Sequence, residues 1–146
     1  MAPLNIAQVR DRLNTARWHY QRAQAVRNMF ADDHEFHFEK GYDALRAAAG
    51  GVVAAHGVRT TTRGRTHAIP FAIAIAALRS RRPDAANKLD PIAARIREWR
   101  NRMQYEIVDE VTADECEELF GHLPMMLEAM EAIAYDLIGL PPPGGW

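Results

Sequence analysis

Apolar side chains recur at intervals of three and four residues along most of this chain, and that spacing constrains the fold more than any other feature. The first stripe consists of Ile6, Val9, Leu13, Ala16, Tyr20 and Ala23. It predicts a helix that begins near Asn5, a residue type that caps helix N-termini, and continues to about Phe30.

A second stripe predicts a second helix and consists of Phe38, Tyr42, Leu45, Ala49, Val52 and Val53. We expect this helix to begin at Asp32 or Asp33, because Asp32 and Glu35 have the spacing of a capping box. Gly57 is expected to end it. The pair Gly50-Gly51 inside the stripe is unfavourable in a helix and indicates close approach of another segment or a local kink.

The segment from 58 to 66 has no apolar periodicity and is predicted to be a polar, basic loop. After it, Phe71, Ile73 and Ile75 alternate as they would in a strand. We predict a helix here instead, because Phe71, Ile75 and Leu78 also share one helical face and the intervening alanines favour helix.

Two further helices are predicted in the second half of the chain. Asp90-Pro91, after a polar turn around 81–89, is typical of a helix start. Its apolar stripe consists of Ile92, Ile96, Trp99 and Met103. Thr112 and Glu115 form a second capping-box pattern, before a stripe at heptad spacing. That stripe consists of Leu119, Leu123, Met126, Met130, Ile133 and Leu137. Pro124 is expected to kink or split this last helix.

These patterns predict an all-α protein, a four- to five-helix, mostly up-and-down bundle. The 146 residues fit one domain, 1–139, followed by a flexible Pro/Gly tail, 140–146. The lone Cys116 excludes an intrachain disulfide, and the first residues do not resemble a secretion signal. The longest uncharged central run, 68–78, is too short to span a bilayer. We therefore expect a cytoplasmic protein without a membrane segment.

Charge is distributed unevenly although the net charge is only −1. From 59 to 102 the chain has 11 basic and three acidic residues, a net charge of +8. From 103 to 146 it has ten acidic residues and neither lysine nor arginine. The basic half can attract a polyanion, and the acidic half can be its counterweight within or between subunits. The candidate phosphate-binding residues are Arg59, Arg63, Arg65, Arg97 and Arg102.

The stretch "WRNRMQYE", residues 99–106, is the strongest candidate site. On a helical wheel Arg100 lies about 70° from the centre of the apolar stripe, at the edge of the buried face. Asn101 points roughly 100° further round. Arg100 can therefore hold an anion beside the apolar seam, or it can form a structural salt bridge with Asp109 or Asp114.

The order of the elements resembles that of a HEPN domain over roughly residues 34–135. The resemblance rests on "GYDALRAAAGGVVAAHGVRT" in one helix, "GRTHA" at the start of the next, and a later helix that ends in "RNRMQYE". It implies a helical bundle that forms homodimers, and often a metal-independent ribonuclease of a toxin–antitoxin or defence system. It also implies that the motif arginines of two subunits meet in a shared cleft.

The motif of that family is an arginine, a polar residue and, after four to six intervening residues, a histidine. Arg100 and Asn101 match its first two positions, but the histidine positions hold Tyr105, Glu106 and Ile107. Cleavage needs a base for the 2′-hydroxyl as well as a cation for the phosphorane. Tyrosine is a poor base at neutral pH, so the candidates for proton transfer are Tyr105 and, at the start of the third helix, His67.

The sequence thus predicts a HEPN-like protein that binds RNA or a nucleotide, with cleavage left open. The alternative is a non-catalytic accessory subunit or antitoxin-like interaction module, whose acidic last helix packs on a protein partner. A third, weaker hypothesis is a metal enzyme that uses His34 and His37 with Asp33, His56 or His122. The leading hypothesis requires no metal and no cofactor.

Overall fold

The computed structural model describes residues 3–57, 68–105 and 110–146. Within these ranges the chain forms α1 (Pro3–Met29), α2 (His34–Ala55), α3 (Ala68–Arg81), α4 (Pro83–Gln104) and α5 (Ala113–Leu137). The described part contains no strand, so the predicted all-α class is confirmed. None of its helices combines the length and apolar character needed to cross a bilayer.

α1 and α2 pack as antiparallel neighbours, as do α3 and α4, whereas α2 and α3 run in the same direction, with Tyr42 near the start of one against Phe71 near the start of the other. Leu13 of α1 lies against Gly51 of α2, far along the chain from the short turn that joins the two helices. Arg79 of α3 reaches Asp90 of α4 across the next turn. α2 also packs on α5, where Gly41 meets the side chain of Leu119.

The core is formed by the stripes that the sequence predicts. The predicted α2 positions and most of the heptad stripe of α5 are buried, and Leu137 at the end of that stripe is exposed. Gly51 is explained by close approach, because a Cβ there would lie 3.1 Å from Cγ of Leu13. Since Leu13 is itself buried, α1 can approach α2 this closely only at a residue without a side chain.

Two helix ends agree with the capping patterns, and one differs in detail. The side chain of Thr112 accepts a hydrogen bond from the backbone N–H of Glu115, and the Glu115 carboxylate accepts one in return, as predicted. At α2 the N-cap is Asp33, which accepts from Phe36, so the expected Asp32 box is replaced by a cap one residue later. Gly57 follows the end of α2 with φ 73°, a conformation that favours glycine.

The predicted start of α4 at Asp90 is wrong, because the helix already begins at Pro83. The extra turns bury three side chains, Ala85, Ala86 and Leu89. Pro91 therefore lies inside the helix, where it cannot donate to the carbonyl of Asn87. Both Asn87 and Pro91 are exposed, so water can reach that carbonyl, and burial of the preceding turns outweighs the lost hydrogen bond.

Pro124 does not split α5, which runs unbroken to Leu137. The tail from 140 to 146 contacts α1 and α5. Glu131, which is 1% exposed, accepts a hydrogen bond from the backbone N–H of Gly144 at 2.8 Å. Arg17 donates to the same carboxylate at 2.5 Å, and its guanidinium lies 4.2 Å from the ring centroid of Trp146. A buried carboxylate requires such donors, and this requirement attaches the tail to α1 and α5.

Two glycine substitutions test the close packing of α2 on α5. A Cβ at Gly41 would lie 2.8 Å from Cδ2 of the buried Leu119, whereas a Cβ at the exposed Gly121 would meet nothing within 4 Å. We expect Gly41→Ala to destabilise the protein by about 1 kcal/mol or more, since overpacking outweighs the gain in helix propensity. Gly121→Ala should stabilise it by up to about 1 kcal/mol. Urea denaturation measures both, and equal effects of the two substitutions would contradict the packing.

Candidate functional site

Arg100 lies on an aromatic cluster between α4, α2 and α3. The preceding residue, Trp99, is buried and packs edge-on against Phe38 with 6.0 Å between ring centroids. The guanidinium of Arg100 then lies 4.3 Å from the ring centroid of Tyr42, which is fully buried. Phe71 of α3 also packs on Tyr42, at 6.0 Å. Three helices therefore fix the ring on which the arginine rests.

The electrostatic environment of Arg100 lacks a counter-charge within the described part of the chain. Its Nε is buried and has no hydrogen-bond partner there, and the side chain forms no ion pair with a described carboxylate. Asp114, one predicted partner, is exposed and does not reach it, while Asp109 lies outside the described residues. Burial raises the pKa of Tyr42, and the nearby positive charge of Arg100 opposes that rise.

Most other arginines of the basic segment are already paired within the chain. Five of the described arginines between 79 and 102 form ion pairs: Arg79 with Asp90, Arg81 with Asp136, Arg82 with Asp84, Arg95 with Glu115, and Arg102 with Glu98. Arg97 and Arg100 form none with a described residue. Among the described arginines of this segment, the two without an ion pair therefore both lie on the last turns of α4.

Arg97 extends the site along α4. It is exposed and lies one helical turn before Arg100, so the two side chains occupy neighbouring positions on the helix surface. It also lines an open groove of about 350 Å³ between α3 and α4. The other lining residues are Ala72, Ile75, Ala76, Arg79 and Asp90. Arg97 thus lies at this groove, and Arg100, one turn further along α4, rests on Tyr42.

The structure does not gather the other predicted motif residues around Arg100. Asn101 and Arg102 are exposed, and the side chain of Arg102 lies 3.4 Å from the Glu98 carboxylate. Tyr105 is 73% exposed at the end of α4, and five helical positions place it roughly 140° round the axis from Arg100. Within one chain the described geometry therefore supplies the cation without a base beside it.

Four predicted residues, Arg59, Arg63, Arg65 and His67, lie outside the described residues. Tyr42, in contrast, was expected only as part of the core of α2. Its role as the support of Arg100 follows from the meeting of α2 and α4, which no local pattern reveals. The sequence contains one clue to this contact, because Tyr42 belongs to the apolar stripe of α2 and Arg100 lies at the edge of the apolar stripe of α4.

The histidine pair at the start of α2 has a partner that the sequence analysis missed. One potential ligand atom each from His34, His37 and Cys116 lies within 4.8 Å of the others. The predicted alternatives do not join this group, since His56 lies at the opposite end of α2 and Asp33 caps the helix. Burial raises the pKa of the Cys116 thiol to about 11. The Thr112 capping box predicts that Cys116 lies in the first turn of α5. It gives no indication that this turn packs against the start of α2.

No protein-family model, curated protein or solved structure matches this chain. The resemblance to HEPN domains remains a prediction for that reason.

The stacking of Arg100 on Tyr42 can be measured with a double-mutant cycle. We expect Arg100→Met and Tyr42→Leu to be non-additive in urea denaturation by about 1–2 kcal/mol, because each removes one half of a partly desolvated cation–π pair. Arg97→Met is the matched control on the same helix, and its effect should add to that of Tyr42→Leu within about 0.5 kcal/mol. Additivity of the Arg100 and Tyr42 substitutions would refute the contact.

Proposed function

We propose that this protein is a HEPN-like, cytoplasmic RNA-binding protein that holds a phosphate group at Arg100. The observation that carries the proposal is the stacked guanidinium, half-buried on Tyr42 and without a described carboxylate partner. This arginine is already partly desolvated and held in one position in the free protein. Binding of a ligand therefore costs less free energy for desolvating and ordering the side chain. A phosphate oxygen would accept hydrogen bonds from the terminal N–H groups of this half-buried guanidinium.

The neighbouring charges support RNA rather than a single small anion. A phosphate at Arg100 leaves Arg97, one turn away, in position for the next phosphate along a strand. The groove between α3 and α4 gives the strand a path. A free nucleotide shares the phosphate chemistry but reaches fewer of these groups, so it should bind more weakly.

The same geometry supports only half of a cleavage mechanism. Arg100 could stabilise the charged phosphorane when a 2′-hydroxyl attacks the adjacent phosphorus. The proton of that hydroxyl needs a base, and His67 or Tyr105 would have to supply it, from the same chain or from the second subunit of a homodimer. Incubation of total RNA with the protein in EDTA separates the two activities. Cleavage that Arg100→Met abolishes would make the protein a metal-independent endoribonuclease.

Binding is tested by the fluorescence anisotropy of a labelled single-stranded RNA of mixed sequence, titrated at several salt concentrations. We expect Arg100→Met to weaken binding at least about tenfold. The slope of log affinity against log salt should also fall by about 0.7, the value for one lost single-strand phosphate contact. Arg10→Met, which removes the same charge from an exposed position of α1, should leave the affinity nearly unchanged.

Each outcome of this titration decides the proposal. Equal affinities of the wild-type protein and Arg100→Met, with both shown to be folded by circular dichroism, would overturn it. A wild-type affinity that does not change with salt would also overturn it. Competition by a nucleoside monophosphate as strong as that by RNA would instead assign the site to free nucleotides.

The second candidate function is that of a protein-interaction module, such as an accessory subunit or antitoxin-like half of a toxin–antitoxin pair. One exposed line on α1 favours it, since Trp18 is 51% exposed and Met29, on the same helical face, is 72% exposed. The guanidinium carbon of Arg22 lies 4.5 Å from the centroid of the Trp18 ring. Apolar side chains aligned in this way are typical of interfaces.

Light scattering tests α1 as the interface of a homodimer. We expect the wild-type protein to have the mass of a dimer, and Trp18→Ser to shift it towards the monomer by removing an aromatic anchor. Ile69→Ser is the matched control, because Ile69 is 54% exposed but lies on α3. A monomeric wild type, or equal effects of the two substitutions, would contradict a dimer through α1.

A further inference from the structure

The first turns of α2 and α5 bring together three side chains that commonly ligate transition metals. His34 and His37 are one turn apart on α2, and Cys116 lies in the first turns of α5, 82 residues further along the chain. One potential ligand atom of each lies within 4.8 Å of the others. The sequence pattern brings only the two histidines together, and the packing of α2 on α5 adds the sulfur.

The orientation of His37 is the one that metal-binding histidines usually have. Its Nε2 lies 2.6 Å from the backbone oxygen of Phe30. A carbonyl can only accept a hydrogen bond, so Nε2 carries the hydrogen and Nδ1 carries the lone pair. A histidine that donates one ring N–H to a backbone carbonyl has its tautomer and its ring orientation fixed for coordination through the other nitrogen. His37 is also 3% exposed, so the ring is held by its surroundings.

The sulfur atom of Cys116 lies beside the first residue of α2. Sγ of Cys116 donates to the backbone oxygen of His34 at 3.0 Å. The rings of His34 and His37 stand edge to face with 6.0 Å between centroids. Ligand atoms in a tetrahedral zinc site are about 3.5 Å apart, so the separations here require contraction by at most about 1.3 Å. Rotation of the partly exposed His34 and of the Cys116 thiol would supply that distance around the fixed ring of His37.

We propose that His34, His37 and Cys116 bind a zinc ion that joins the start of α2 to the start of α5. Two imidazoles and a thiolate match the preference of zinc for nitrogen and sulfur ligands. Binding replaces the thiol hydrogen of Cys116 with a zinc–sulfur bond, and the proton leaves to solvent. The half-buried His34 gives solvent access to the cluster, so water can take the fourth position. This site departs from the expectation of a metal-free protein and does not depend on RNA binding at Arg100.

The proposal is tested on the full-length protein after treatment with a chelator and removal of the chelator. Cobalt(II) serves as the spectroscopic probe, because tetrahedral cobalt with a thiolate ligand has visible d–d bands and a sulfur-to-metal charge-transfer band. We expect about one cobalt ion per chain, displaced by zinc, with both sets of bands. Zinc should also raise the melting temperature, since it binds the folded state.

Substitutions assign the ligands. Cys116→Ala should abolish the charge-transfer band, and His34→Ala should weaken zinc binding at least about tenfold. His56→Ala, which removes a histidine at the exposed end of α2, should bind zinc as the wild type does. His34 is the first, partly exposed residue of its helix, so His34→Ala keeps the test valid if Cys116→Ala fails to fold.

The contrary outcomes are equally specific. A wild-type protein that binds no cobalt, or binds it without the charge-transfer band, would overturn the site. Equal losses in His34→Ala and His56→Ala would also overturn it. Arg100→Met should retain zinc, and His34→Ala should retain the RNA affinity of the wild type if that affinity is observed. The failure of either proposal can therefore be recognised independently of the other.

Discussion

The acidic helix α5 contacts all four other helices, and arginines from three of them form ion pairs with its carboxylates. Arg17 and Arg27 of α1 pair with Glu131 and Glu117, Arg81 of α3 pairs with Asp136, and Arg95 of α4 pairs with Glu115. Exposed pairs of this kind contribute little individually. The Glu131 carboxylate is different, because its burial makes Arg17 and the backbone of Gly144 indispensable to it. Two of these pairs, Arg81 with Asp136 and Arg95 with Glu115, join the basic segment 59–102 to the acidic segment 103–146.

The features that could be predicted from the sequence are those that depend on neighbouring residues in the chain. Whether a segment forms a helix depends on the local spacing of its apolar residues and on its caps. The stripes of α2 and α5 and the Thr112 cap were therefore predicted correctly. The start of α4 depends on whether burial of Ala85, Ala86 and Leu89 outweighs an internal proline. Local pattern assigns Pro91 to a helix start, and only the packing against the other helices reverses that assignment. The attachment of the tail depends on Glu131, whose burial no sequence pattern indicates.

In each of the two candidate sites, the sequence identifies some of the residues and the packing of the helices supplies the others. The sequence identifies Arg100 and the pair His34 and His37, because each has a recognisable local context. It does not identify Tyr42 as the support of Arg100 or Cys116 as the neighbour of the histidines, since both contacts join helices distant in sequence. The base that the proposed cleavage would require is a question of the same kind. A proton acceptor can come from any segment that the fold brings to Arg100, and the spacing of residues within α4 does not restrict it.

The absence of a competing carboxylate makes Arg100 more informative than the number of arginines around it. A phosphate that approaches a paired arginine such as Arg81 must displace or share Asp136, and the exchange of one hydrated ion pair for another yields little free energy. At Arg100 no described carboxylate has to be displaced, and the aromatic ring beneath it already excludes water from one face. Under the proposed phosphate binding, an anion at the terminal N–H groups of Arg100 would displace no described carboxylate, in contrast to an anion at the ion-paired arginines of the same segment.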